Sequence, residues 1–162
     1  MPDQTTIAPF AMADTSGMVG EAGVVSDWLE IDQDMVNDFG RVTYWDTWMH
    51  CDRARSEAES PYGGALMHGF HMAALTTRFL RMSGMEPVDG DYFLNYGTDK
   101  VRILQPVVIA DGVRLRDSIS LTGVTTTDEG AVRMTTSHEI FCDGMDGPVA
   151  YVEFIAFWYA KG

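Results

Sequence analysis

Residues 66–82 are apolar almost all round: Leu66, Met67, Phe70, Met72, Ala73, Ala74, Leu75, Phe79 and Leu80 leave no broad polar face. A surface helix shows a single apolar stripe, whereas one apolar on every side is enclosed by protein. The pattern predicts a central buried helix over 66–82, which the rest of the chain has to wrap. Pro61, Gly63 and Gly64 break the chain just ahead of it.

The wrapping reads as strand. Val113, Leu115, Ile119 and Leu121 alternate with Arg114, Arg116, Ser118, Ser120 and Thr122, the period of a half-buried antiparallel strand. Residues 131–142 are rich in β-formers, and 151–159 (YVEFIAFWY) are apolar throughout, as in an interior strand covered on both faces. Asp143, Gly144, Asp146, Gly147 and Pro148 supply the turn between them. DYFLNYG and VRILQPVVI within 91–109 add further strand, so four or five strands follow one helix, an α+β domain. Ahead of the central helix, Asp32 is a candidate N-cap for a helix carrying Met35, Val36 and Phe39 and ending near Gly40 to Val42, and CDRARSEAES makes a short solvated helix. Residues 1–23 read as an N-terminal arm and 24–162 as one domain.

Charge narrows the partners. Eleven Lys and Arg against 24 Asp and Glu leave a net charge of −13, unsuited to nucleic acid, whose phosphates need clustered cations. A small polyanion such as a CoA thioester is compatible, because arginines at 53, 55, 78, 81 and 102 act at short range. No run approaches the roughly 18 apolar residues that span a bilayer. Two cysteines and no visible targeting segment give reduced thiols and the cytoplasm as expectations.

Three blocks carry a family resemblance: DWLEIDQDMVNDFGRVT, WMHCDRARSEAESPYGGALMHGF and LNYGTDKVRILQPV. In their order and spacing, from about Asp27 to Tyr159, the chain resembles the MaoC-like (R)-specific enoyl-CoA hydratases and dehydratases. That resemblance implies the hotdog fold, an antiparallel sheet wrapped around a central buried helix, and a dimer. It implies a loop aspartate and a histidine five positions later that hold the water added across an enoyl double bond. His50 matches the histidine. The aspartate position holds Trp45, with Asp46 one residue late, and the polar residue between them is Thr47. The resemblance further assigns Gly69 as the amide that polarises the thioester carbonyl and Thr77 as a substrate-contacting hydroxyl.

Hydration of an unsaturated thioester needs a base for water, an acid for the α-carbon and stabilisation of the enolate oxygen. Histidine titrates near neutrality, so His50 is a candidate acid and base; a partly buried histidine bonded to a carbonyl is the alternative. Gly69 fits an oxyanion role because a missing side chain admits the thioester, though Gly63, Gly64 and Gly69 equally suit tight helix packing. Asp46 orients His50 if the loop slips by one residue, a slip that turns a side chain to the opposite face of an extended segment. Trp45 accepts no proton; with Tyr44 and Tyr62 it makes a candidate aromatic pocket floor, whereas Trp48 reads as core. His68 and His71 share an HxxH spacing, but no further ligand completes a metal set, and no nucleotide-binding motif occurs, so neither metal nor cofactor is expected.

The expected activity is addition or removal of water at an acyl thioester or related enone, with an altered catalytic pair. A non-catalytic acyl-binding or heteromer subunit and a thioesterase on the same scaffold stand as alternatives. The apolar final strand suits a homodimer interface.

Overall fold

The computed structural model describes residues 2–161. Its centre is one antiparallel sheet built from β1 (Val24–Val25), β2 (Leu29–Glu30), β3 (Gly90–Ile103), β4 (Arg114–Thr126), β5 (Val132–Cys142) and β6 (Pro148–Ala160). The spatial order is β1-β4-β5-β6-β3, with β2 also paired to β4. The helices are α1 (Gln33–Thr43), α2 (Trp48–Cys51), α3 (Arg53–Glu59), α4 (Gly69–Ala74) and α5 (Thr76–Ser83). Helix α4 packs on β6 and α5 on β4, so the sheet folds around this pair in the hotdog arrangement. Met72, Phe79, Ile119, Met134, Ile140 and Val152 are completely or almost completely buried between the two layers. No described helix is long and apolar enough to cross a membrane.

The central helix is shorter than the apolar run that announces it. Leu66 and Met67 are extended: Leu66 bridges to Val108, and the Met67 N–H donates to Val107 O at 2.9 Å. Helix begins only at Gly69 because the preceding amides are already paired sideways. A second interruption falls at Leu75, where the Thr76 and Thr77 hydroxyls bond back to Ala73 O and Ala74 O and compete with the ladder. Nor is the helix enclosed on all sides. Phe70 is 76% exposed, and Arg78 and Arg81 face outward.

Three other segments take a more detailed form. Within 91–109 the strand is β3, which ends at Ile103 and is broken in register at three places, and the chain after it turns back to Val149 and the pre-helix segment. The first 23 residues are partly built into the domain: a 3-10 helix, Met12–Met18, contributes buried Met12 and Thr15, and Phe10 joins the core. Strand β6 is interior, between β5 and β3, with Val152, Phe154, Ala156 and Trp158 on the inner face and, on the other, Ile155 buried and Tyr151, Glu153, Phe157 and Tyr159 half-buried.

Two details at the start of the domain fix the loop that matters. Asp32 caps α1, its carboxylate accepting the Met35 N–H at 2.8 Å. At the other end Tyr44 takes a left-handed conformation, φ 56°, and closes the helix onto Arg41 O and Gly40 O. That conformation costs a residue with a Cβ about 1 kcal/mol. The return is a fixed exit: the Trp45 N–H donates to Gly40 O at 2.8 Å. A Cβ on Gly40 would lie 2.7 Å from Cys51 Sγ and 3.2 Å from Asp46 Cα, so the loop packs onto α1 only because that side chain is absent.

Candidate active site

The end of α1, the loop after it, α2 and the start of α4 enclose a pocket of about 310 Å³ lined by Phe39, Thr43, Trp45, His50, His68, Gly69 and Phe70. His50, Trp45 and Gly69, three of the residues singled out in the sequence, therefore meet at one place. Tyr62 and Thr77 do not: Tyr62 borders an apolar groove with Leu66, Met67 and Ile103, and Thr77 lies between α5 and β3 with Arg78, Arg81 and Asn95. Asp46 and Thr47 are exposed beside the pocket, Thr47 as the N-cap of α2. Trp48 is half-buried with the Arg55 guanidinium 4.6 Å over its ring, so it is not core.

Hydrogen bonding fixes the tautomers. Leu66 O lies 2.8 Å from His50 Nδ1. A carbonyl only accepts, so Nδ1 carries the proton and Nε2 is left as the basic nitrogen. The orienting partner of His50 is thus this backbone carbonyl and not Asp46. His68 Nε2 donates to Trp45 O at 3.1 Å, and its Nδ1 is buried with no partner. The His50 and His68 rings stack with centroids 3.9 Å apart, and His71 stacks on Phe39 at 4.8 Å.

Burial pushes both the His68 and the His71 imidazoles below their ordinary value, the neighbouring histidine adding to the effect in each case. A proton arriving on either would also meet a buried Nδ1 with no acceptor. Protonation of either ring is thereby disfavoured. The linkage has a definite sign. A histidine whose folded value is lowered binds its proton first in the unfolded chain, so its contribution is complete above about pH 6.5 and is lost as pH falls below that. Melting temperature should therefore drop between pH 7 and pH 5 in a calorimeter, and His71→Phe should make that drop smaller. An unchanged slope in the variant excludes His71 as a source.

Gly69 opens α4 without a side-chain cap, His68 at the N-cap making none. Among the described residues no acceptor takes the Gly69 N–H. A Cβ there would lie 2.8 Å from Ile103 Cγ1, so the missing side chain also lets α4 pack closely against Ile103. Also among the described residues, no group of three or more His, Cys, Asp or Glu is placed to hold a metal ion. Phe39, Thr43 and Phe70 line the pocket without having been singled out; Phe39 and Thr43 stand four apart on α1, a spacing that puts both on one helix face.

Residues 14–140 match the family model described as the MaoC like domain. The chain belongs to the MaoC-like family. Its MaoC-like domain is 35% identical over 151 residues to a protein of Mycobacterium tuberculosis (strain ATCC 25618 / H37Rv) named 3-hydroxyacyl-thioester dehydratase Z, covering 93% of this chain and 97% of that one. Nodulation protein N of Rhizobium meliloti (strain 1021) is 36% identical over 131 residues, covering 74% and 81%. Among solved structures, the monoamine oxidase regulatory protein from Archaeoglobus superposes with a TM-score of 0.73 at 16% identity, covering 95% and 97% of the two chains, a likeness of fold. The MaoC-like fold is thus the one in which His50 and Gly69 are brought to the same pocket.

Proposed function

We propose that the chain is a hydro-lyase: it adds water across the α,β double bond of an acyl thioester and removes it from the 3-hydroxyacyl product. The observation that carries this reading is the convergence of His50 and Gly69 on one apolar pocket. In the dehydration direction, His50 Nε2 takes the α-proton, and the electron pair moves to the thioester oxygen, where the Gly69 N–H stabilises it. The enolate then collapses, the double bond forms, and the β-hydroxyl leaves with the proton that His50 carried. One imidazole serves as base and then as acid, so the step balances without a carboxylate. Losing an oxyanion donor of this kind typically costs about 3–4 kcal/mol of transition-state stabilisation.

Trp45 is what sets this site apart from the family pattern. Its indole accepts no proton, so the water held by a carboxylate elsewhere is held here by His50 alone, and turnover is slower for it. No cofactor is invoked, and the substrate is an acyl-CoA or a related enone. The thiols of Cys51 and Cys142 are both free, which supports a reducing compartment, the cytoplasm. The working unit is a homodimer.

The test is loss of the enoyl-thioester absorbance when purified protein meets crotonyl-CoA, read beside an assay for free thiol. Hydration with no thiol release is expected, and Trp45→Asp should raise the rate. Thiol release without hydration reassigns the chain as a thioesterase. Tight acyl-CoA binding with neither reaction makes it a non-catalytic subunit, the reading that Trp45 favours.

A further inference from the structure

Once the internal hydrogen bonds are counted, the pocket offers few free polar groups. Thr43 Oγ1 is spent on Phe39 O at 2.6 Å, His68 Nε2 on Trp45 O, and His50 Nδ1 on Leu66 O. What remains is the His50 Nε2, the Gly69 amide, the Trp45 indole N–H, a buried His68 Nδ1 and the rings of Phe39, Trp45 and Phe70. The His50 Nε2 and the Gly69 amide belong to the reacting carbons and the thioester. The rings therefore meet whatever the β-carbon carries.

Two of those rings are open to solvent, Trp45 at 62% and Phe70 at 76%. Trp45 is also held firmly at its backbone: its N–H is tied to Gly40 O and its C=O to His68. It follows the strained Tyr44, itself 91% exposed. A large ring whose backbone is pinned at the pocket mouth offers a flat apolar surface to a group of matching shape. The pocket volume, near the lower end of what small-molecule sites show, suits a compact ring better than a long flexible chain.

From this we infer that the preferred substrates carry an aromatic ring on the β-carbon: arylpropenoyl thioesters and their 3-aryl-3-hydroxy hydrates. The inference rests on the hydro-lyase reading for the placement of the thioester, and goes beyond it in naming the acyl class. Trp45 is then a specificity residue, occupying the place of a catalytic one.

Affinity for unreactive saturated thioesters separates the two claims. By calorimetry, 3-phenylpropanoyl-CoA should bind about ten-fold more tightly than 3-cyclohexylpropanoyl-CoA, which matches it in bulk but not in planarity. Trp45→Ala should abolish that difference and Trp45→Phe retain most of it. Equal affinities in the parent protein, or a preference that survives Trp45→Ala, overturn the inference. Hydration of crotonyl-CoA with no aryl preference overturns it too, and leaves the hydro-lyase reading intact. Aryl-selective binding that depends on Trp45, with no turnover of cinnamoyl-CoA, supports the acyl class and overturns the hydro-lyase reading.

Discussion

Purified His50→Ala should hydrate crotonyl-CoA about 10²–10⁴-fold more slowly than the parent protein, the range for a positioned general acid or base. The loss should fall on kcat with KM little changed, because the imidazole is used in the transition state and the thioester is held elsewhere. His50 also stacks on His68 and accepts nothing itself at Nδ1, so its removal leaves Leu66 O without a donor. A melting curve on the same sample separates the two effects. A residual rate within about three-fold of the parent, from a folded variant, would be far below the smallest contribution expected of an acid or base and would remove His50 from the chemistry.

The largest stability effect is expected far from the pocket. Asp117 and His138 are completely buried, Asp117 Oδ2 lies 2.5 Å from His138 Nδ1, and His138 Nε2 lies 2.8 Å from Thr136 Oγ1. The Ser26 hydroxyl accepts the Asp117 N–H at 3.0 Å, while Asp117 Oδ1 has no partner. Breaking such a pair by removing one member typically costs about 3–5 kcal/mol, since the other is left buried and alone. Asp117→Ala should therefore lower the melting temperature by about 6–20 °C. Replacing both, Asp117→Val with His138→Leu, should recover most of that, because apolar substitutes need no partner.

The same pair has a pH signature. Burial pushes the Asp117 carboxyl up, and the contact with His138 opposes it without cancelling it. A carboxyl raised on folding binds its proton more tightly in the folded chain. Its contribution is thus complete below the ordinary value of about 3.9 and declines as pH rises toward the raised one. Stability measured by denaturant titration across that window should fall with pH relative to Asp117→Asn, whose side chain does not titrate. Parallel profiles would place the proton elsewhere.

How much of this is legible in the sequence follows from how far apart the parts lie. The pocket is built from residues between Phe39 and Phe70, so a helix end, a loop and a glycine turn read locally bring its members into view. Asp32 as cap and the strand periods are local in the same sense. The Asp117–His138 contact is not. It is a diagonal pair on one face of β4 and β5, created by a register that sets Ile119 opposite His138 and Asp117 opposite Ile140, and alternation alone shows an acidic residue on a face otherwise filled by Leu115, Ile119 and Leu121. Arg116 is hidden for a related reason: it points away from the core and is still buried, its guanidinium 4.3 Å over Trp28, which lies between β1 and β2. The shortened central helix escapes because composition reports burial and not which amides are already engaged.

The two margins of the sheet are unlike. One is covered by a pair of two-residue strands, β1 and β2, both laid along β4, while the other, β3, runs for 14 residues with its outer amides and carbonyls unmatched among the described residues. A strand added from another molecule finds its longest free border at β3. The opposite margin is interrupted instead: β1 and β2 pair only with Arg114, Leu115, Ser118 and Ile119 of β4, so an incoming strand meets a shorter free stretch there than along β3.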